Sequence, residues 1–398
     1  MSTPLSSQAT AGASSPALPE LDYWLIGAAV ALLGFGVIMV ASASLHEGGQ
    51  MEPPNPFYYL IRHGIAVALG LVAALLVSQI PTRRWEQSGT ALYFIGLLLL
   101  VLVLIPGVGR EANGSLRWIP IGAFNLQGSE FMKLFLVVYI AGYLVRRQLE
   151  VAHSFWGFFK PMLLLVVAAA LIMLQPDFGT TAVLLATALG MLFLGGVALW
   201  QFALLLLSTG VVLVELVLSS EYRLGRITGF LDPWADAYGN GYQLAQALIA
   251  FGRGEWFGVG LGNGIQKQFY LPEAHTDFLM AVIGEEFGLL GTLMVIALFS
   301  LIVWRAFRIG AAAEAIERRF CAYVAYGFGL WIGMQAFVNI GVNVGLLPTK
   351  GLTLPLMSYG GNSIIVACIV IGMLVRIGYE TQRDAPAYKL EQVKWAGA

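Results

Sequence analysis

The stretch LPEAHTDFLMAVIGEEFG, residues 271–288, starts as a polar loop and continues as an apolar helix. Glu273, His275 and Asp277 lie at the junction, and Glu285 and Glu286 follow two turns into the helix. A carboxylate inside a lipid bilayer is costly, and residues of this kind commonly mark functional sites. The stretch therefore predicts a membrane-spanning helix with a functional site at its polar end.

The composition of the whole chain predicts the same environment. Of 398 residues, 58% are hydrophobic and 11% are charged, against about 25% charged residues in soluble domains. The apolar runs are continuous rather than alternating, which excludes a transmembrane β-barrel. Two cysteines and four scattered histidines indicate neither a disulfide framework nor a histidine metal cluster. The predicted fold class is an all-α polytopic membrane protein.

Ten apolar runs are long enough to be transmembrane helices, since a span needs about 20 residues. They cover residues 22–44, 57–79, 87–105, 129–145, 159–175, 180–199, 201–219, 278–304, 320–345 and 354–377. Ten spans place both termini on one side, together with most of the loop arginines. By the positive-inside rule, that side is the cytoplasm.

Outside these spans, the sequence predicts two tails and one large loop. Residues 1–20 are rich in Ser, Ala and Pro and are expected to be a disordered cytoplasmic tail. The membrane domain covers 21–379, and 380–398 form a C-terminal cytoplasmic tail. The loop at 220–277, between the seventh and eighth spans, contains GYQLAQALIAFG, whose apolar residues recur at helical spacing. This pattern predicts an amphipathic helix at the outer surface.

Asp277 is the leading candidate for a functional residue. If the helix starts at this residue, Gly284 and Gly288 lie within about 20° of it and Gly291 within about 40°. A face of small residues allows close packing or leaves room for a ligand. The structural alternative is a carboxylate that is stabilised by the helix macrodipole. Glu273, one turn earlier, is open to both interpretations.

Other polar groups at the outer ends of spans also have a structural alternative. Glu130 and Lys133 are three residues apart, so a local salt bridge competes with a ligand site. Asp177 either caps the helix that starts near Thr180 or faces a ligand.

Inside the spans, polar side chains favour a structural role. Gln335, Asn339 and Asn343 form a stripe along the ninth span, for which interhelical hydrogen bonds are the favoured interpretation. Glu285 and Glu286 point away from Asp277, and we expect buried ion pairs or hydrogen bonds there. The segment after Lys350 predicts a helix that is broken near Gly360 and Gly361.

Taken together, the outer side offers the Asp277 carboxylate and the cations Arg117, Lys133 and Lys350. This combination suits an anionic substrate that has a hydroxyl to deprotonate, such as a diphosphate-linked lipid sugar. Residue chemistry alone does not separate catalysis from transport.

Five motifs, in order along the chain, resemble those of the SEDS family (shape, elongation, division and sporulation). They are GSLRWIPIG, QGSEFMKL, QPDFGT, YLPEAHTDFLMAVIGEEFG and LLPTKGLTLPLMSYGG. The PTKGL sequence and the N-terminal tail are similar to the cell-division branch of the family. The resemblance implies a ten-helix fold and a peptidoglycan glycosyltransferase of the bacterial inner membrane that polymerises lipid II on the periplasmic side.

The resemblance also implies roles for individual residues. Asp277 matches the essential aspartate of the family. Glu130, Lys133, Asp177, Lys350 and Ser358 match cavity positions of the family. Arg117, Glu273 and His275, which lie within the same motifs, are candidate substrate-binding residues. Glu285, Asn339 and Asn343 are expected from their residue chemistry to be supporting residues. Implied partners are lipid II, a class B penicillin-binding protein transpeptidase and other divisome membrane proteins at the septum, and no nucleic acid.

The mechanism expected from this resemblance is an inverting transfer with Asp277 as general base. The donor is already activated, so the sequence requires no cofactor, although a divalent cation such as Mg²⁺ or Mn²⁺ is an optional participant. Two alternatives remain: a lipid II flippase, which would need paired broken helices, and a non-catalytic divisome scaffold.

Overall fold

The computed structural model describes residues 20–112, 115–122, 124–197, 199–218, 225, 228–348 and 351–396. The tail predicted at 1–20 lies outside the described residues, except for Glu20. Lys350 also lies outside them. The described part is mainly helical, which confirms the predicted class at that level.

The helices follow the predicted spans closely; in addition, the described residues contain a short helix after the fourth predicted span and the helix that the sequence predicts in the large loop. In chain order they are α1 (Tyr23–Gly49), α2 (Tyr58–Gln79), α3 (Thr82–Leu104), α4 (Gly128–Arg146), α5 (Gln148–His153), α6 (Phe155–Met173), α7 (Phe178–Leu194), α8 (Leu199–Leu218), α9 (Tyr242–Gly254), α10 (Leu279–Glu314), α11 (Arg319–Asn343) and α12 (Gly361–Ala396). Among the described residues, eight helices are long and apolar enough to cross a membrane: α1 to α4, α6 and α10 to α12. The full count of ten spans stays a prediction, because α7 is shorter and α8 is not among these eight.

The loop between α3 and α4 contains a small sheet, so the all-α prediction is wrong there. Strands β1 (Arg110–Ala112), β2 (Ser115–Ile121) and β3 (Phe124–Gln127) form an antiparallel sheet in that order. The strands are too short to produce an apolar run of the length that marks a span. Gly122, at φ +59°, lies in the tight turn between β2 and β3, a conformation that glycine adopts without steric cost.

α4, α11 and α12 are the most buried of the candidate spans. In the apolar windows of these helices, 83% of α4, 61% of α11 and 67% of α12 are buried, whereas only 22% of α2 is. α12 packs along α2, α10 along α11, and α3 along α4. Polar residues on α4 and α11 are therefore placed inside the protein, where they contact several helices at once.

The sequence predicts a continuous helix over 278–304 with glycines on one face. This prediction of a continuous helix is wrong at Gly288. Its φ of +64° and ψ of −157° break α10 into two parts. The segment 255–260 pairs with the exposed main chain of the break: Leu289 N to Glu255 O, Leu290 N to Trp256 O, Val259 N to Glu285 O, and Gly260 N to Glu286 O, at 2.9–3.2 Å. These bonds replace the helical ones, as buried main-chain groups require.

The last long helix also differs from its prediction. α12 begins at Gly361 rather than 354, and residues 355–359 form a turn instead of a half-helix. Leu356, at φ +63°, is incompatible with helix at this point. α12 continues to Ala396, so the predicted C-terminal tail at 380–398 begins as part of this helix.

Candidate active site

Asp277 lies in a turn before α10 and not on the helix itself. The N–H of Phe278 donates to the carbonyl of Glu273 at 3.1 Å, and the helix starts at Leu279. The predicted alignment of Asp277 with Gly284 and Gly288 is therefore wrong, because it assumed helical geometry from Asp277 onwards. Asp277 is partly exposed, whereas Phe278 is buried.

The main chain of Asp277 is held by α11. Asn339 Nδ2 and Asn343 Nδ2 donate to its carbonyl oxygen at 2.8 and 2.9 Å. Both asparagines are almost fully buried. The supporting role that the sequence predicts for them thus corresponds to direct contacts with the Asp277 turn.

The side chain of Asp277 lies against the segment that follows Lys350. A Cβ atom placed on Gly351 would be 2.9 Å from Asp277 Oδ2. A Cβ placed on Gly179, two residues after Asp177, would be 3.1 Å from the carbonyl oxygen of Gly351. The 351–352 segment is therefore sandwiched between the Asp277 carboxylate and the start of α7.

Lys133 and Glu130 form the local salt bridge that the sequence left open. Lys133 Nζ is 2.9 Å from Glu130 Oε1, and both side chains are buried. Lys133 Nζ also donates to Gln335 Oε1 at 2.8 Å and lies 5.0 Å from the ring centre of Trp331. Its charge acts from inside the bundle, where it is screened less than at a surface.

The structural alternative for Asp177 is also present. Its Oδ1 accepts from the Thr180 N–H at 3.2 Å and its Oδ2 from the Thr180 hydroxyl at 2.9 Å, so Asp177 caps α7. Arg117, on β2, donates to the carbonyls of Gln175 and Pro176. The guanidinium therefore fixes the sheet to the turn that carries Asp177.

Ser358 closes one loop of the site, and His275 connects that loop to the Asp277 turn. Ser358 Oγ accepts from the Leu354 N–H at 2.9 Å and closes the 355–359 turn. The Tyr359 N–H donates to the His275 carbonyl at 2.9 Å. His275 Nδ1 lies 3.2 Å from Glu47 Oε2, and the other oxygen of Glu47 accepts from the Tyr59 hydroxyl at 2.8 Å.

Glu273 occupies the exposed edge of this turn. Its Oε2 accepts from the Thr276 hydroxyl at 2.7 Å, and its carbonyl accepts from the Phe278 N–H. Its φ of +56° is a conformation that non-glycine residues adopt rarely. Glu273 thus shapes the turn that presents Asp277.

Glu285 and Glu286 form the buried ion pairs that the sequence predicted. Glu285 pairs with Arg253 at 2.8 Å and accepts from two N–H groups of the 265–266 segment. Glu286 pairs with Lys267 at 2.6 Å and accepts from the hydroxyl of Ser42. Both carboxylates hold the 255–267 segment onto the break in α10.

The structure brings the Asp277 turn, the 351–353 segment and Lys133 together around α11. Sequence reasoning missed Lys267, Glu47 and Tyr59, because isolated charges and tyrosines at helix ends carry no distinguishing pattern. Among the described residues, no three His, Cys, Asp or Glu side chains converge as a metal site would require. A cation held mainly by substrate phosphates needs only one or two carboxylates, and Asp277 fits that requirement.

These features define a multi-pass helical membrane protein with a carboxylate site in the turn before a broken helix. Comparison with known proteins identifies the family. A family model that covers FtsW, RodA and SpoVE, described as cell cycle proteins, matches residues 23–383. The chain belongs to this family, the SEDS family, as its motifs predicted.

The relatives match over nearly their full lengths. A protein from Allochromatium vinosum, named probable peptidoglycan glycosyltransferase FtsW, is 56% identical over 98% of this chain and 100% of its own length. A protein of the same name from Pseudomonas fluorescens is 50% identical over 94% of this chain and 91% of its own.

Two solved structures share the fold. A chain from a structure described as "Structural coordination of polymerization and crosslinking by a peptidoglycan synthase complex" has a TM-score of 0.74 at 30% identity, covering 91% of this chain and 98% of that chain. The rod shape determining protein RodA of Thermus thermophilus has a TM-score of 0.66 at 29% identity, covering 92% of this chain and 97% of its own.

Proposed function

We propose that this protein is a peptidoglycan glycosyltransferase that polymerises lipid II into glycan strands during cell division. The observation that carries the proposal is the Asp277 turn, whose carbonyl is held by two buried amides while its carboxylate lies against Gly351. The relatives named peptidoglycan glycosyltransferase, which match over most of the chain, support the same activity.

In the proposed reaction, Asp277 is the general base. It accepts the proton of the 4-hydroxyl of the acceptor N-acetylglucosamine as that oxygen attacks the anomeric carbon of the donor N-acetylmuramic acid. The bond from this carbon to undecaprenyl diphosphate breaks, the diphosphate leaves with the electron pair, and the configuration inverts from α to β. General-base help is typically worth about 10²–10⁴-fold.

Cations are proposed to stabilise the leaving diphosphate. Lys350 precedes Gly351, whose backbone lies beside the Asp277 carboxylate. Lys133 contributes a positive electrostatic field from its buried pair with Glu130. Arg117 contributes a positive field from its position beside the carbonyls to which it donates. Fixed charges in a site with little water stabilise a developing anion more than mobile charges do. Ser358, Asp177, Glu273 and His275 are proposed to shape the substrate-binding walls.

A divalent cation stays part of the proposal as an optional component. Mg²⁺ is commonly bound through substrate phosphates and one or two carboxylates, and here Asp277 and the lipid diphosphate would hold it. When bound, it would supply charge neutralisation. Chelation with EDTA during polymerisation measures whether it contributes.

The cellular setting is proposed from the family and its solved complex. The protein is expected to cross the bacterial inner membrane ten times, with both termini in the cytoplasm and the Asp277 turn on the periplasmic side. Its expected partners are a class B penicillin-binding protein and other divisome proteins at the septum. A solved structure of a complex that coordinates polymerisation with crosslinking supports such a pairing.

The test is lipid II polymerisation by the purified chain, with and without its class B partner. Asp277→Asn keeps the size of the side chain but removes the base, so we expect a loss of about 10²-fold or more in strand formation. Asp232→Asn changes an exposed carboxylate in the same large loop and serves as the matched control.

Two results would overturn the proposal in different ways. Full activity of Asp277→Asn would remove Asp277 from the mechanism. Absence of strands from the wild type, even with the partner and Mg²⁺ present, would favour the flippase or scaffold. Transbilayer movement of labelled lipid II in vesicles then separates these two alternatives.

A further inference from the structure

Three amide side chains on one face of α11, Gln335, Asn339 and Asn343, follow each other at a spacing of four residues. Residues at this spacing lie one above another on a helix. All three are at most 2% exposed. We call them the amide ladder, because together they bond to the Asp277 turn, to the 352–353 segment and to Lys133, all of which belong to the proposed site.

The outer end of the amide ladder holds both sides of the Asp277 turn. Two donors, from Asn339 and Asn343, meet at the Asp277 carbonyl. Asn343 Oδ1 accepts from the Ala281 N–H at 3.0 Å, in the first turn of α10. A carbonyl has two acceptor positions, so this one is saturated, and the direction of the turn is fixed.

The inner end of the amide ladder holds the 352–353 segment and Lys133. Asn339 Nδ2 also donates to the Leu352 carbonyl, and Gln335 Nε2 donates to the Thr353 carbonyl at 2.9 Å. Gln335 Oε1 accepts from Lys133 Nζ at 2.8 Å. It also accepts from Trp331 Nε1 at 2.8 Å, which fixes the orientation of the amide.

We propose that the amide ladder sets the position of the Asp277 carboxylate relative to Lys133 and the 351–353 segment. This inference rests on the proposed function, in which Asp277 is the general base. The three amides bond to main chain and to Lys133, so they are positioning residues and not catalytic residues. Catalytic groups need placement to within about 0.5 Å, and a rigid buried helix face provides it.

The experiment compares kcat and KM of the purified full-length chain with lipid II as substrate. Asn343→Ala removes the bonds to the Asp277 carbonyl and to the Ala281 N–H. Asn343→Asp keeps the acceptor for Ala281 but lacks the donor. Misplacement of a catalytic group by about 1 Å can cost about 10²-fold. We therefore expect both variants to lower kcat about 10- to 100-fold, with KM within about threefold of the wild type.

Tyr93→Phe is the matched control, because the Tyr93 hydroxyl donates a partly buried hydrogen bond to the Leu164 carbonyl at 2.8 Å, between α3 and α6. It removes a side-chain to main-chain hydrogen bond that does not involve the amide ladder, and we expect kcat within about twofold of the wild type. The melting temperature of each variant separates loss of folding from loss of rate.

The amide ladder proposal is overturned if Asn343→Asp retains the wild-type kcat. It is also overturned if the kcat of both Asn343 variants falls only in proportion to the folded fraction, or if Tyr93→Phe loses as much kcat at an equal melting temperature. A wild type that forms no strands would instead refute the proposed function. The two failures are therefore distinguishable.

Discussion

The Asp277 carboxylate lies close to a residue without a side chain. A Cβ on Gly351 would approach Asp277 Oδ2 to 2.9 Å, which is closer than Cβ atoms normally come to a neighbour. The segment that contains Gly351 is held from the other side by Asn339 and Gln335. A methyl group at this position would therefore move the carboxylate and not the segment.

We predict that Gly351→Ala lowers the rate of lipid II polymerisation about 10- to 100-fold, because the added methyl displaces the proposed base. The melting temperature should change little, since the carboxylate is partly exposed and can turn away. Gly252→Ala is the control: a Cβ there meets no atom within 4 Å. Polymerisation by Gly351→Ala at the rate of Gly252→Ala would contradict the close approach.

At the scale of elements, periodicity and length predicted the helices but not their interruptions. Apolar runs located α1 to α4 and α11 to within a few residues. The break at Gly288 was missed because EEFGLL is consistent with a continuous helix, and only the docking of residues 255–260 makes a break favourable. The site was predictable as a set of residue types, whereas the pairing of Lys133 with Glu130 and Gln335 depends on tertiary packing.

The break has a consequence for how much of α10 lies in the membrane. Residues 289–314 alone exceed the roughly 20 residues that a span requires. The part from Leu279 to Phe287 is therefore not needed for the span, and we expect it to lie at the membrane surface. This part follows the Asp277 turn and contains both buried glutamates. We call the 255–267 segment the brace, because its hydrogen bonds and the ion pair of Lys267 hold this part of the helix in place.

We predict that Gly288→Ala releases this brace. A Cβ at Gly288 would lie 2.5 Å from Gly258 N and 2.7 Å from Gly254 O. The positive φ adds strain of about 1–3 kcal/mol for a residue with a side chain. Amide hydrogen exchange should accelerate at Leu289 and Leu290, whose N–H groups bond to the 255–256 carbonyls.

The control for this element is Gly64→Ala in α2, where a Cβ has no neighbour within 4 Å. It should leave exchange at Leu289 and Leu290 unchanged. Protection of these two amides in Gly288→Ala equal to that of the wild type would show that the brace does not depend on the break.

At the scale of the whole molecule, the two ends of the bundle carry different clusters of charged residues. At one end, Arg318 and Arg376 enclose the buried Glu380, and Arg305 pairs with Asp22. At the other end are the Asp277 turn, the sheet and α9. Because the arginine-rich end is expected to face the cytoplasm, we expect the proposed site to face outwards and to receive substrate from the periplasmic side.

This orientation predicts the pattern of thiol labelling in intact cells. Both native cysteines, Cys321 and Cys368, are buried and should react little. Tyr238→Cys introduces a thiol in the large loop, at a position where the native side chain is 96% exposed. Leu149→Cys introduces a thiol between α4 and α6, where the native side chain is 78% exposed. A membrane-impermeant maleimide that reaches the periplasm should label Tyr238→Cys in intact cells, and Leu149→Cys only after the inner membrane is permeabilised. The reverse pattern would place the Asp277 turn in the cytoplasm, and labelling of both positions in intact cells would contradict the predicted ten-span topology.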